Sequence, residues 1–189
     1  MALVESTLSN KTNQLPHFSL KSTNGEFKNS KDLMAGNGLV VLFTCNHCPY
    51  AKALWERIMN HLDVIRSFNF EFVAINPNIH PNYPDDSFEN MIKLSNEMNF
   101  QFHYLVDENQ AVAKQFDAQC TPDLYVLNHA MKVLYRGAYD DHWKDESLVT
   151  QHYLLDALKK LNNDINTSIS VIKRSMGCSI KWVNENLES

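Results

Sequence analysis

Hydrophobic and polar positions along the chain follow two periods in alternating blocks. "GLVVLF", ending at Phe43, is apolar without interruption, as expected of a central parallel strand covered on both faces. After Pro49 the apolar residues Ala51, Leu54, Ile58, Leu62 and Ile65 recur at three- and four-residue steps. That spacing predicts one amphipathic helix of about four turns. "FEFVAINP" (70–77) predicts the next strand, and the proline-bearing "NIHPNYPDD" (78–86) predicts a loop that leaves the core. Asp85, Asp86 and Ser87 place acids and a capping hydroxyl before Phe88, Met91, Ile92, Ser95 and Met98, a second helix. "FHYLV" (102–106) predicts a strand and "ENQAVAKQF" (108–116) a short helix. "DLYVL" and "MKVLY" predict two strands around Asn128-His129-Ala130, and "SLVTQHYLLDALKKL" (147–161) predicts a last helix ended by Asn162, Asn163 and Asp164. Near the start, "FSLKSTNGEFKNS" holds two short extended stretches around Asn24-Gly25, a hairpin signal.

Strand–helix–strand followed by a hairpin and a helix predicts the α/β class, a mixed central sheet flanked by helices. The expected organisation is a single domain with a core at about 15–162, a helical insertion, and a tail over 163–189. The tail has no clear period. Val171, Ile172, Met176, Ile180 and Trp182 nevertheless give it too much apolar surface to float free, so it is expected to pack back along the body. Gly177 would let its backbone approach closely or turn.

Composition narrows the chemistry. The chain has 189 residues, 44% hydrophobic, enough to bury a substantial core. A net charge of -5, a pI near 5.9 and the lack of a Lys/Arg cluster argue against a nucleic-acid partner. No stretch approaches the ~20 apolar residues of a membrane span, which argues against a membrane partner. "MALVESTLSNKTNQ" is too polar for a signal peptide, so the cytoplasm is the expected compartment. Four cysteines do not make a disulfide scaffold in a chain of this length, and cytosolic thiols are mostly kept reduced.

In that setting, "FTCNHCPYAKAL" (43–54) is the informative stretch. Cys45 and Cys48, three apart in the first turn of a helix, would share one face at disulfide-forming distance. Unpaired amides and the helix dipole favour a thiolate at the first of them, Cys45, and only a thiolate attacks a disulfide. His47 adds a donor or a positive charge within the turn and favours the thiolate further. The bland alternative is two cysteines packed as small hydrophobes. A metal clamp is the third reading, but structural zinc wants four ligands and the second half of such a pattern is missing. No metal and no cofactor are expected. Trp55 and Trp143 read as packing, and Tyr50 reads either as shaping the approach to Cys45 or as a helix-surface aromatic.

"QCTPDLYVL" is the second informative stretch: Thr121-Pro122 opens a strand whose proline nitrogen cannot donate to a ladder. It is a candidate cis peptide, against the alternative of an ordinary trans proline at a strand edge. Cys178, in "SMGCSIKW", either packs as a buried small residue or meets Cys120 as a structural disulfide or a redox relay.

Together these pieces resemble the thioredoxin superfamily, and more closely a bacterial peroxiredoxin-like branch of the AhpC/TSA group. "FTCNHCPY", "CTPD", "YRGAYDD" and "GCSIKW" follow in that order, over roughly residues 15 to 182. The resemblance implies a thioredoxin-like fold with Cys45 as the exposed nucleophile and Cys48 as the resolving cysteine. Pro122 would be the cis-proline facing the pair. The Thr121 backbone would then be free to pair with a substrate strand, with Thr44 beside it. Cys-x-His-Cys also looks like the active site of periplasmic disulfide oxidases. Two features depart from the pattern. Thr44 replaces the usual Trp, and Leu39 to Phe43 offer no buried acid. Proton removal from Cys48 would therefore use water, His47 or a group elsewhere. Peroxiredoxins align their peroxidatic cysteine with Cys48 but need Thr or Ser where Cys45 stands. None of the four arginines has a spacing that assigns it as the peroxidatic partner.

The function expected is thus a thiol–disulfide oxidoreductase acting on protein or small-molecule disulfides, with an external thiol donor. A thiol peroxidase and a non-catalytic redox-sensing binding module are the alternatives. Arg136, Asp140 and Asp141 read either as lining the active-site rim or, the favoured reading, as solvated charges on an exposed turn.

Overall fold

The computed structural model describes residues 3–7, 14–167, 169 and 173–183. The first elements are β1 (Leu3–Glu5), β2 (Ser19–Ser22), β3 (Phe27–Asn29), α1 (Ser30–Leu33), β4 (Gly38–Phe43) and α2 (Pro49–Lys52). Next come α3 (Trp55–Ser67), β5 (Phe70–Asn76), α4 (Phe88–Glu97), β6 (His103–Val106) and α5 (Ala111–Gln115). The chain continues through β7 (Cys120–Thr121), β8 (Asp123–Leu127), β9 (Val133–Gly137), α6 (Tyr153–Asn163) and β10 (Met176–Ser179).

Seven strands form one mixed sheet in the order β3-β2-β6-β5-β4-β8-β9. β4, β5 and β6 run parallel, and antiparallel pairs complete both sides. All six residues of β4 are buried because side chains alternate between two cores. Val40 and Leu42 join Ile58, Leu62, Phe72 and Leu158 on one face, while Leu39, Val41 and Phe43 join Val73, Phe116 and Tyr125 on the other. Gly38 stands where the backbone of the next strand presses closest, since a Cβ there would lie 1.9 Å from Leu127 O. A second, three-stranded sheet of order β1-β10-β7 ties the two ends of the chain together.

Four expectations need correction. The helix after Pro49 is broken: the hydrogen-bond register slips from i−4 at Ala53 to i−3 at Leu54, and α3 restarts at Trp55. Its five apolar residues stay buried. The last helix starts at Tyr153 rather than 147, because the Thr150 amide (3.0 Å) and hydroxyl (2.5 Å) bind the Asp141 carboxylate and hold the preceding residues away. The charges near β9 are not simply solvated. Asp140 is buried against Arg57, and Arg136 reaches the buried Asp123 at 3.1 Å. In the tail Ile180 is buried but Trp182 is 38% exposed, and Val171 and Ile172 lie outside the described residues.

Other elements stand where the pattern put them. Ser87 caps α4 by accepting the Asn90 amide at 3.3 Å. The Asn24-Gly25 turn joins β2 to β3 as an antiparallel hairpin.

Candidate active site

Cys45 lies two residues beyond β4, and Cys48 is the N-cap residue of α2. The helix therefore begins after the second cysteine, not at the first, because Pro49 favours the opening position of a helix and the chain before it is extended. Between the cysteines the chain is clamped by Asp86, which arrives on the 78–86 loop. Its carboxylate accepts the Asn46 amide (2.6 Å), the His47 amide (3.3 Å) and the Nδ1 side of the His47 ring. Asn46 donates its side-chain amide to Asp85 O at 2.9 Å and accepts the Tyr104 hydroxyl at 2.8 Å. The His47 ring stacks on Tyr83, with centroids 5.1 Å apart. His47 is thus held by a carboxylate, rather than projecting a lone positive charge at the thiols. The buried acid absent from Leu39–Phe43 is supplied by the loop.

Thr121 faces both cysteines across a cis Thr121-Pro122 bond. Its hydroxyl lies 3.3 Å from Cys45 Sγ and its carbonyl oxygen 3.0 Å from Cys48 Sγ. Cys48 Sγ lies 2.9 Å from Cys178 Sγ, and all three sulfurs are buried. Burial, the hydrogen bond with Cys48 and the nearby Asp86 carboxylate push the Cys45 thiol well above its ordinary range. Cys48 moves the other way, to about 5, chiefly through its hydrogen bond with Cys45. Cys178 and the amides of Ala51 and Cys178 add to that effect against the cost of burial. Protonated, Cys48 would donate to Thr121 O. Ionised, it accepts from two thiols and stands at the helix N-terminus, and these donors outweigh one carbonyl. The Cys178 thiol, buried and donating to Cys48, is pushed up to about 12. The expected low-pKa thiolate at Cys45 is therefore corrected. The donors around the two sulfurs favour the charge on Cys48.

Thr44 is fully buried, as are Cys45, Cys48 and Thr121, and its amide extends the sheet by donating to Ile75 O at 2.8 Å. One further expectation is redrawn. Cys178 meets Cys48, not Cys120. In the antiparallel pairing of β10 with β7, Cys178 lies opposite Thr121 and Ser179 opposite Cys120. Neighbouring residues on a strand point to opposite faces, so the Cys120 thiol turns away and donates to Pro122 O at 3.3 Å. Burial raises its pKa.

The same pairing means that the Thr121 backbone is not left open for an incoming strand. β10 already occupies it. Gly177 makes the contact feasible, because a Cβ there would lie 2.1 Å from Thr121 O. Gln110 and Asn78 then anchor the chain just after β10. Gln110 donates to Pro77 O and Lys181 O (both 2.7 Å) and accepts the Val183 amide (2.8 Å). Asn78 accepts the Lys181 amide at 2.9 Å. Beside Pro122 a cavity of about 50 Å³ is lined by Tyr50, Trp143 and Met176, with the Tyr50 and Trp143 rings 4.1 Å apart. Trp55 is buried in the core, as expected. Among the described residues, one group of donors has a metal-like arrangement: Cys45, His47 and Asp86, all within 4.8 Å of one another. It offers three of the four positions of tetrahedral zinc, and Asp86 is already committed to Asn46 and His47.

Asp86, Asn78 and Gln110 were missed from the sequence. Asp86 sits in an acid pair before a capping serine, where the helix start alone accounts for it, and nothing periodic marks the other two.

Fold and family define a redox protein with a thioredoxin-like architecture. The sequence profile of the AhpC/TSA family matches residues 12–136, and the chain belongs to that family. Among solved structures it is similar to a conserved protein described as uncharacterized from Geobacillus kaustophilus, at 37% identity over 97% of each chain and a TM-score of 0.88. It is also similar to a hypothetical protein from Sinorhizobium meliloti, at 25% identity over 95% of this chain and 98% of that one, TM-score 0.82. The peroxidoxin BcpB from Mycobacterium tuberculosis shares the fold, at 16% identity over 78% of this chain and 95% of that one, TM-score 0.62. Curated protein sequences give no match. Among the described residues no helix is long and apolar enough to cross a membrane.

Proposed function

We propose that the protein is a thiol–disulfide oxidoreductase whose working couple is Cys45–Cys48. The observation that carries this reading is the Cys48 sulfur at the N-cap of α2, held toward the thiolate by its bond with Cys45. The Cys48 thiolate attacks one sulfur of a disulfide, forming a mixed disulfide and expelling the other sulfur as a thiolate that takes up a proton. Cys45 then gives its proton to His47, whose ring Asp86 orients and whose positive charge Asp86 offsets. The Cys45 thiolate attacks Cys48 Sγ, the mixed disulfide breaks, and the second substrate sulfur leaves and takes the proton. One disulfide has become two thiols, and the protein holds a Cys45–Cys48 disulfide. An external thiol donor reverses the state of the protein. No prosthetic group enters, and protein or small-molecule disulfides are the substrates.

A peroxidase reading is favoured by the position of the charge, since Cys48-Pro49 is where the family resemblance puts a peroxidatic cysteine. Peroxide would oxidise Cys48 to the sulfenic acid, and Cys45 would condense with it and release water. Against this, Cys45 stands in place of the hydroxyl three residues earlier, and Arg57 and Arg136 are committed to Asp140 and Asp123.

The test is turnover of a chromogenic aromatic disulfide with a dithiol donor, run beside hydrogen peroxide. Disulfide turnover that disappears in Cys48→Ala is expected. Turnover of peroxide alone assigns the peroxidase reading, and undiminished disulfide turnover in Cys48→Ala overturns both.

A further inference from the structure

We infer that β10 is a built-in partner strand for the active-site edge and that Cys178 is a third redox thiol, exchanging with Cys45 for a disulfide to Cys48. The inference rests on the reading that Cys48 takes part in disulfide chemistry, and extends it to a segment outside the Cys45–Cys48 motif.

The placement of β10 is that of a bound extended peptide. Strand addition recognises a peptide through main-chain pairing with a free sheet edge, while its side chains enter neighbouring pockets. Here the edge is Cys120–Thr121 and the added strand is Met176–Ser179 of the same chain. Gly177 passes close over Thr121, so the following side chain, Cys178, is delivered onto Cys48. The two sulfurs are 2.9 Å apart. A disulfide of ~2.0 Å needs an approach of about 1 Å, within the reach of a side-chain rotation. Cys48 thus has a thiol on each flank, Cys45 from its own turn and Cys178 from the tail.

Exchange between the two disulfides needs no oxidant. Starting from Cys45–Cys48, the Cys178 thiol loses its proton and its sulfur attacks Cys48 Sγ. The Cys48–Cys178 bond forms, the Cys45–Cys48 bond breaks, and its electron pair leaves on Cys45 Sγ, which takes up the proton. The two states differ in what they do to the edge. With Cys45–Cys48 formed, β10 is held by its backbone pairing with β7 and β1, extended just outside the strand by Ile180 N to Gln119 O (3.3 Å) and Ser6 N to Ser175 O (2.8 Å). An external extended peptide can compete for such bonds. With Cys48–Cys178 formed, β10 is covalently fixed and the edge stays closed to any other strand.

The experiment oxidises the reduced full-length chain with diamide, blocks remaining thiols at acid pH, and maps tryptic peptides without reduction. Cleavage after Lys31, Lys52, Arg174 and Lys181 puts Cys45 and Cys48 in one peptide and Cys178 in another, so a Cys48–Cys178 bond is read as a cross-link. The wild type is expected to show both the cross-link and the internal Cys45–Cys48 disulfide. In Cys45→Ala the cross-link becomes the only disulfide, and in Cys178→Ala it is lost while Cys45–Cys48 persists. Gly177→Ala, which drives a Cβ into Thr121 O, should lose the cross-link and keep the internal disulfide. The inference is overturned if Cys45→Ala leaves Cys48 and Cys178 both alkylated while the wild type forms Cys45–Cys48, a result that leaves the proposed function standing. The cross-link in Cys45→Ala with no internal disulfide in Cys178→Ala would leave Cys48–Cys178 as the working couple, which overturns the exchange with Cys45 and the proposed couple together.

Discussion

Cys45 and Cys48 are three residues apart and equally buried, yet their surroundings pull them in opposite directions. Cys45 precedes the helix, sits near the Asp86 carboxylate, and has the Thr121 hydroxyl as its one donor beyond its partner thiol. Cys48 caps the helix, gathers S–H groups from Cys45 and Cys178, and has amides of Ala51 and Cys178 turned toward it. Burial penalises a thiolate at both places. What separates them is the number of donors aimed at each sulfur, and that is set by where the helix starts and where β10 passes. A dithiol of this kind is a single proton-sharing unit in which geometry decides which sulfur holds the charge.

The contrast can be broken outright at Cys48. Cys48→Ala should remove disulfide turnover down to the uncatalysed rate, measured with a chromogenic disulfide, whereas Cys45→Ala should retain a first turnover. The next largest effect is expected from Asp86→Asn. If Asp86 enables His47 to take the Cys45 proton, resolution of the mixed disulfide should slow by ~10²-fold, the scale of general-base assistance. Its pH profile should shift to lower pH as well, because a charge that holds the Cys45 thiol up is gone, which a purely structural loss would not produce. Stopped-flow release of the second substrate thiol reads both.

Gly177→Ala sharpens the comparison from the side of the tail. Its Cβ would lie 2.1 Å from Thr121 O, so β10 must shift, at a cost of ~1–3 kcal/mol by chemical denaturation. Cys48 should then alkylate faster than in the wild type while Cys45 changes little. The smallest effect belongs to Thr121→Val, which removes the hydroxyl beside Cys45. The loss of one hydrogen bond, ~1 kcal/mol, should raise the Cys45 pKa further and leave that of Cys48 in place, as read by pH-dependent alkylation.

The two regions also differ in how legible they were. β4, β5, β6, β8 and β9 announce themselves by uninterrupted or alternating apolar runs, because a strand inside a covered sheet has few other solutions. The Cys45–Cys48 spacing is local in the sequence, whereas the cis Thr121-Pro122 bond was expected from the family resemblance of "CTPD" and not from the strand start alone. Both cysteines were read into the first turn of the helix, although α2 begins only at Pro49, four residues past Cys45, and Pro49 was the better marker of where helical hydrogen bonding starts. The tail was legible only as apolar surface needing cover. Its pairing with Thr121 depends on Gly177, Gln110 and Asn78, residues far apart in the chain and without a shared pattern. Non-local strand pairing of that kind is not written into either partner alone.

Which sulfur holds the charge is tested most directly by following thiolate ultraviolet absorbance against pH in the reduced protein, its Cys48→Ala variant and its Cys45→Ala variant. In the wild type one thiolate should appear with a midpoint near the value of about 5 set by the donors around Cys48. That step should vanish in Cys48→Ala, and in Cys45→Ala it should move upward, because the largest donor is gone. A step near pH 5 that survives Cys48→Ala and disappears in Cys45→Ala would place the charge on the other sulfur and contradict the account.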